Sequence, residues 1–204
     1  VDWSLPEEIG FSGIISVGNQ LDLGFEEYIH LFAQDEHTRA IILYIEEIRD
    51  GPRFIEVVAK VTPKKPVIAI KSGSSRKGIK AAASHTGSLA GSHDVYLAAF
   101  RQAGIITVRS TQQAFRIGEL LASEGYPKGK RAIVITSAGG FGVLASDYAE
   151  RYGIELIELS PELLGQLNTI LPASWNHDNP LDILGDANAG RFAQVFDILI
   201  QNQR

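Results

Sequence analysis

The 204-residue sequence contains no cysteine, which excludes disulfides, thiolate metal sites and a cysteine nucleophile within it. No apolar run approaches the roughly 18 residues that a membrane helix requires, and no signal-peptide pattern opens the chain. A cytoplasmic protein without membrane contact is therefore expected. The net charge of −5 argues against a nucleic-acid partner, because such partners usually face a basic surface. Methionine is also absent, even at position 1.

Short apolar runs alternate with amphipathic segments along the chain. Runs rich in β-branched residues occur at 13–17, 40–45, 66–70, 104–108, 131–137 and 154–159. Helical spacing of apolar residues occurs at 25–33, 53–61, 95–103, 114–122, about 141–152, about 161–170 and from about 189. Alternation of strands and helices is typical of an α/β fold with parallel sheets.

A polar segment rich in glycine and proline, GYPKGK at 125–130, precedes a new strand. Such a segment favours a domain boundary, and we predict domains at 1–126 and 127–204. The second domain has only two strand patterns, which is fewer than a sheet of typical size. Its sheet is therefore expected to be truncated or completed by other strands.

One histidine stands among small residues in AAASHTGSLAGS at 81–92. His85 is flanked by Ser84, Thr86 and Gly87, and four cations precede it: Lys71, Arg76, Lys77 and Lys80. Small residues let the backbone approach a ligand closely, and the hydroxyl groups add hydrogen-bond donors. A histidine that handles phosphate needs this kind of loop. On the residues alone, a surface loop with an incidental histidine explains the pattern about equally well.

A second small-residue turn, TSAGGFG, joins a strand to a helix through Ala138, Gly139 and Gly140. Such a turn presents backbone N–H groups at a helix N-terminus, where anions bind. A tight turn with no ligand explains the glycines equally well. The motifs GxGxxG and GxxxxGK[ST] are absent, so neither a dinucleotide-binding fingerprint nor a P-loop is supported.

The other four histidines carry no comparable signal. No pair of them has a zinc-like spacing with a third ligand, so no structural metal is predicted. We predict that His30 lies on a helix and that His93 lies in the first turn of another helix. His37 and His177 are predicted to lie in loops.

A long segment resembles a known family. Residues 71–108, KSGSSRKGIKAAASHTGSLAGSHDVYLAAFRQAGIITV, are similar to the phosphohistidine segment of the NDP-forming acyl-CoA synthetases. This family includes the ADP-forming acetate–CoA ligases and is related to succinyl-CoA synthetase. The resemblance extends upstream over 9–51, and downstream over 130–160 and NPLDILGDA at 179–187.

The resemblance implies two flavodoxin-like (Rossmann-like) three-layer domains with parallel sheets. The first would be the succinyl-CoA-synthetase-like domain that carries the phosphohistidine loop. The second would be a partial CoA-ligase-like domain. An internal fragment is implied, without the CoA-binding domain, the nucleotide-binding ATP-grasp part, and the opening strand and most of the first helix of its own first domain.

The resemblance also implies roles for individual residues. His85 matches the phosphorylated histidine, and Glu46 matches the glutamate that hydrogen-bonds its imidazole, with Glu47 the weaker candidate. The remaining matched residues would bind phosphate between the two loops: Ser84, Thr86, Gly87, Ala138, Gly139 and Gly140.

The implied reaction is acyl-CoA + phosphate + ADP ⇌ carboxylate + CoA + ATP, through an acyl phosphate and a phosphohistidine. CoA and ADP or ATP with magnesium are implied for the full enzyme, whereas this fragment would be inactive alone and would bind at most phosphate. The implied partners are a CoA-binding domain and an ATP-grasp domain or subunit, and an oligomer is expected. Two alternatives stay open: a non-catalytic ligase-like region of a protein acetyltransferase, and a generic flavodoxin-like binding module. The acyl group and the choice of ADP or GDP are not determined.

Overall fold

The computed structural model describes residues 4, 6–75, 77–78 and 92–202. The chain divides into two compact units, Val1–Tyr126 and Pro127–Arg204. Each unit contains parallel strands alternating with helices, so the predicted α/β fold with parallel sheets is confirmed. None of the helices in these described ranges is long and apolar enough to span a membrane.

The first unit contains a three-stranded parallel sheet in the order β1–β2–β3. Its elements in chain order are α1 (Phe25–Gln34), β1 (Ile41–Ile45), α2 (Gly51–Val61), β2 (Val67–Lys71), α3 (His93–Gln102), β3 (Ile106–Val108) and α4 (Thr111–Glu124). The buried core joins β1 and β2 to α1, α2 and α3 through residues that include Ile29, Leu43, Phe54, Val67 and Phe100.

Local sequence signals explain where two of these helices begin. The Asp50 carboxylate accepts a hydrogen bond from the Arg53 N–H at 3.0 Å, and Pro52 follows at a position that tolerates proline. The Ser110 hydroxyl caps α4 in the same way, accepting from the Gln113 N–H at 3.2 Å. The cap residues Asp50 and Ser110 thus fix where α2 and α4 begin, after the loops that follow β1 and β3.

The prediction of a strand at 13–17 is wrong. These residues belong to no sheet, and two of their apolar side chains, Ile14 and Ile15, are exposed. The segment is instead attached at its two ends. The Ser12 and Thr38 hydroxyls lie 2.7 Å apart, and the Gln20 side-chain amide donates to the Glu47 carbonyl at 3.1 Å. An apolar run becomes a strand only when another strand lies within hydrogen-bonding distance.

The second unit contains β4 (Arg131–Ala132), β5 (Ile135–Thr136), α5 (Gly139–Tyr152), β6 (Glu155–Leu156), α6 (Pro161–Asn168), β7 (Leu181–Asp182) and α7 (Ala189–Gln201). β4 pairs with β6 and β5 pairs with β7, both in parallel. The segment 131–137, predicted as a single strand, therefore forms two short strands that pair with different partners. β7 was not predicted, because its two residues lie among Asn, Asp and Pro residues that are typical of loops.

One side chain, Asn179, connects these two ladders. Its Oδ1 accepts from the Val134 N–H at 3.0 Å, and its Nδ2 donates to the carbonyls of Ala132 and Ile157 at 2.9 and 3.0 Å. The Asn179 amide thus makes hydrogen bonds that a neighbouring strand would otherwise make. It does so at the point where the chain stops pairing with β6 and begins to pair with β7. The core beneath is formed by residues that include Leu163, Leu167, Trp175, Leu181, Ile183 and Val195.

Candidate functional site

Polar residues follow each strand of the first sheet where that strand ends. Glu46 and Glu47 follow β1, Ser72 follows β2, and Arg109 follows β3. The carboxyl ends of parallel strands meet at one edge, and ligands bind outside that edge in open α/β sheets. This edge is therefore the first candidate site.

Lys71, the last residue of β2, is buried at this edge, with 8% of its surface exposed. Its amine donates to the backbone carbonyls of Glu46 at 2.9 Å and Ser72 at 2.5 Å. The same amine lies 4.6 Å from the centre of the Tyr96 ring. Burial lowers the pKa of the Lys71 amine, and the carboxylates of Glu46 and Glu47 oppose that shift. Sequence reasoning counted Lys71 only as one of four cations and missed this role.

Glu46 is half-buried, and its backbone is held from two directions. Lys71 bonds the Glu46 carbonyl, and Gln20 bonds the next carbonyl, that of Glu47. Arg49 then donates to the Gln20 carbonyl at 2.6 Å. The peptide that carries the Glu46 carboxylate is thus fixed, which is what a residue that orients another group requires.

The four loop residues predicted to act here, Ser84, His85, Thr86 and Gly87, lie outside the described residues. Described residues that precede and follow this segment, Ser72 and Tyr96, are anchored near Glu46. On one side, the Ser72 N–H donates to the Ile45 carbonyl at 3.0 Å. On the other side, the Tyr96 hydroxyl accepts from the Ile48 N–H at 3.4 Å, and its ring meets the Lys71 amine.

The second candidate site is the turn at the start of α5. Ala138 is the N-cap residue, and its N–H donates to the Thr136 hydroxyl oxygen at 3.0 Å. The Thr136 hydroxyl donates in turn to the Ala138 carbonyl at 3.0 Å. Gly139 and Gly140 form the first turn of the helix, where backbone N–H groups have no partner inside the helix. The predicted helix start is therefore present, two residues earlier than expected.

Asp182, at the end of β7, lies beside this turn. Its Oδ1 accepts from the Leu184 N–H at 3.1 Å. Its Oδ2 is 2.9 Å from the position that a Cβ atom on residue 139 would occupy. A side chain at 139 would therefore require the Asp182 carboxylate to move. A phosphate bound here would share the helix N-terminus with that negative charge. Sequence reasoning assigned Asp182 no role, although NPLD was among the motifs that carried the resemblance.

The other histidines lie where the sequence indicated. His30 is on α1 and hydrogen-bonds the Gln34 amide at 2.8 Å, and His93 is in the first turn of α3. His37 and His177 are in exposed loops, and the His177 ring centre is 4.6 Å from that of Trp175. Within the described ranges, no group of three or more His, Asp or Glu residues could hold a metal ion.

Parallel α/β domains with polar residues at the carboxyl ends of their strands are typical of ligand-binding proteins. Residues 1–121 match the family model for the succinyl-CoA ligase-like flavodoxin domain, and residues 132–204 match that for the ligase-CoA domain. The chain belongs to the family of succinyl-CoA ligase-like flavodoxin domains.

Three relatives illustrate the similarity. Identity is 40% over 203 residues with acetate–CoA ligase [ADP-forming] I of Archaeoglobus fulgidus, covering 100% of this chain and 29% of the relative. Identity is 44% over 186 residues with the α subunit of acetate–CoA ligase [ADP-forming] I of Pyrococcus furiosus, covering 91% of this chain and 40% of that subunit. The solved acetyl-coenzyme A synthetase 1 of Candidatus Korarchaeum cryptofilum, in complex with phosphate and ADP, superposes with a TM-score of 0.92 at 36% identity. That match covers 99% of this chain and 44% of the solved one, so the chain spans less than half of each relative.

Proposed function

We propose that the chain is part of the α portion of an NDP-forming acyl-CoA ligase and carries its phosphohistidine. The complete enzyme would convert acyl-CoA, phosphate and ADP to carboxylate, CoA and ATP. The similarity to ADP-forming acetate–CoA ligases supports this function over a regulatory region of an acetyltransferase. One structural observation supports the site most directly. The carboxylate-bearing residue Glu46 is fixed at a sheet edge where both flanks of the His85 segment are anchored.

In the proposed reaction, a phosphate oxygen attacks the thioester carbon, the C–S bond breaks, and CoA leaves as an acyl phosphate forms. A ring nitrogen of His85 then attacks phosphorus, and the carboxylate leaves. In the last step the phosphoryl group passes from His85 to ADP, which restores the imidazole. Each step exchanges one bond to the transferred group for another, so no oxidant or reductant is needed.

Each proposed site residue has one task in this scheme. Glu46 would accept a hydrogen bond from one ring nitrogen of His85, which fixes the tautomer and leaves the other nitrogen free to attack. The remaining residues would donate hydrogen bonds to the phosphate oxygens: the loop residues Ser84, Thr86 and Gly87, and the turn residues Ala138, Gly139 and Gly140. Charge-assisted hydrogen bonds of this kind are worth about 1.5–3 kcal/mol each.

The proposal needs groups that these 204 residues do not supply. CoA would bind to a CoA-binding domain, and ADP or ATP with magnesium would bind to an ATP-grasp domain or subunit. The relative in Pyrococcus furiosus is named as a subunit α, which supports a divided enzyme. An oligomer and a cytoplasmic location remain predictions.

Labelling of the full-length ligase with γ-phosphate-labelled ATP tests this proposal. We expect a label that is stable in base and labile in acid, as a phosphohistidine is. His85→Ala should abolish both the label and ligase turnover. His37→Ala, which changes an exposed loop histidine, should keep both. A label that survives in His85→Ala, or one that is stable in acid, would contradict the assignment.

A further inference from the structure

Two lysines of the first unit donate to backbone carbonyls, at opposite edges of its sheet. Lys65, two residues before β2, donates to two carbonyls at the C-terminal end of α1, at 2.7 and 2.8 Å. Lys71, the last residue of β2, donates to the carbonyls of Glu46 and Ser72. Ligands of open α/β sheets bind at the carboxyl edge. The two lysines therefore make similar bonds, but only the second lies at the candidate site.

The Lys71 amine is enclosed by three elements. Its bonds to Glu46 and Ser72 reach the ends of β1 and β2, and the Tyr96 ring of α3 lies 4.6 Å from it. Burial lowers the pKa of this amine, and the carboxylates of Glu46 and Glu47 favour its charged form. Burying a charge costs free energy, and a neutral amide could bond the same carbonyls. The carbonyls alone therefore do not account for a charged side chain here.

The charge matters because of what the proposed function brings to this edge. A phosphoryl group carries a charge of about −1.5 to −2 at neutral pH. When His85 carries this group on one ring nitrogen and Glu46 bonds the other, phosphorus lies roughly 7 Å from the carboxylate. Repulsion at that distance is strong where water is partly excluded. A buried ammonium that interacts with both Glu46 and Glu47 offsets this repulsion.

We propose that Lys71 is a positioning residue for the transfer of the phosphoryl group to His85. It acts by holding the Glu46 peptide and by supplying a positive charge that offsets the carboxylates of Glu46 and Glu47. This inference rests on the proposed function, which places the phosphohistidine beside Glu46. A unit charge about 8–10 Å from the phosphoryl group, at an effective dielectric constant of about 20, changes a rate roughly 15- to 35-fold.

Single-turnover labelling of the full-length ligase with labelled inorganic phosphate and acetyl-CoA, in the absence of ADP, measures this step. Lys71→Met should slow the appearance of phosphohistidine by about tenfold or more. Lys65→Met removes two similar carbonyl bonds at the opposite edge and should stay within about threefold of wild type. Urea unfolding first establishes that each variant is folded in the assay. Equal rates in Lys71→Met and wild type would overturn the proposal.

A second substitution separates the charge of Lys71 from its contribution to the fold. Glu47→Gln in the Lys71→Met background removes one of the carboxylates that the lysine offsets, so it should restore most of the lost rate. Glu36→Gln in the same background is the control, since Glu36 is exposed in the loop before β1, and it should restore nothing. If the Lys71→Met, Glu47→Gln double variant is no faster than Lys71→Met alone, Lys71 acts only on stability and the proposal fails.

Variants that keep the buried lysine give an independent test. Glu47→Gln and Glu47→Lys should lower the KM for phosphate stepwise, by roughly two- to fivefold each, and the effect should shrink in high salt. Glu36→Lys should leave that KM unchanged. A KM that does not respond at Glu47 would overturn the role of charge. The wild type separates the two levels of the argument: absence of a His85-dependent label there overturns the proposed function itself, and this inference with it.

Discussion

The Lys71 amine donates to the backbone carbonyl of Glu46 at 2.9 Å, which joins the ends of two neighbouring strands. The lysine is buried, and its positive charge lies close to two carboxylates that raise its pKa against the effect of burial. This arrangement positions a carboxylate-bearing residue at the sheet edge where Ser72 and Tyr96, on either side of the His85 segment, are anchored.

Replacing Lys71 should destabilise the first unit. Lys71→Met retains most of the apolar stem but leaves the partly buried carbonyls of Glu46 and Ser72 without the donor that Lys71 supplies. We expect the free energy of unfolding to fall by about 1–3 kcal/mol, as for other buried groups left unpaired. Urea denaturation measures it. Lys64→Met, at an exposed lysine, should change stability by less than about 0.5 kcal/mol. Equal effects of the two substitutions would contradict this role.

The same lysine should make stability depend on alkaline pH. Burial lowers the pKa of the folded-state amine below its ordinary value of 10.5. Between the folded and ordinary pKa values the unfolded chain binds more protons, so stability rises with pH in that window. The stability difference between the wild type and Lys71→Met should therefore grow as pH increases toward 10.5 and stay flat well below the folded pKa. Unfolding curves across that range measure it, and a difference that shrinks with rising pH would refute the shift.

Two adjacent carboxylates allow a matched test of the orienting residue. Glu46→Gln keeps the size and backbone of the side chain but removes the charge that stabilises an imidazole proton. We expect histidine phosphorylation in the full-length ligase to slow by about 100-fold or more, whereas Glu47→Gln should stay within a few-fold of wild type. Single-turnover labelling gives both rates. If Glu47→Gln has the larger effect, the orienting role belongs to Glu47.

The paired glycines at the start of α5 should respond differently to alanine. At 139 the new Cβ would lie 2.9 Å from the Asp182 Oδ2, so the carboxylate must shift, which strains its hydrogen bond with the Leu184 N–H. We expect a loss of up to about 1 kcal/mol, at the low end for overpacking because the end of a side chain can move. At 140 no atom lies within 4 Å, and alanine in a helix should be neutral or stabilising by up to about 1 kcal/mol. Thermal unfolding compares the two variants, and indistinguishable transitions would argue against the contact.

Most secondary structure could be predicted because it depends on neighbouring residues. The amphipathic pattern at 25–33 predicted α1, which ends one residue later, at Gln34. The pattern at 114–122 predicted α4, although the helix starts at Thr111 because Ser110 caps it. Strand ends were less accurate. The run at 131–137 forms two short ladders, because Asn179 occupies the point between them.

The residues of the candidate site also fall into two groups: those that the sequence indicated and those whose contacts depend on the folded chain. The Gly139–Gly140 turn was predicted from a local pattern of strand, glycines and helix, whereas Glu46 was assigned only through the family resemblance, and its role stays a prediction. Lys71 and Asp182 could not be assigned roles, because their partners are distant in sequence. Lys71 bonds the residue 25 positions earlier. Asp182 meets Gly139 only after β7 pairs with β5. The roles of His85 and of the phosphate donors remain predictions.

The sequence by itself determined the alternation of strands and helices, the caps that begin α2 and α4, and the glycine turn that begins α5. These features follow from side-chain periodicity and local hydrogen bonds, which act over one or two turns of chain. Only the tertiary structure decided that residues 13–17 are not a strand, that Lys71 holds the Glu46 carbonyl, and that the Asp182 carboxylate lies against residue 139. Each of these depends on which elements become neighbours, since hydrogen bonding and steric exclusion act across space between residues that the sequence separates.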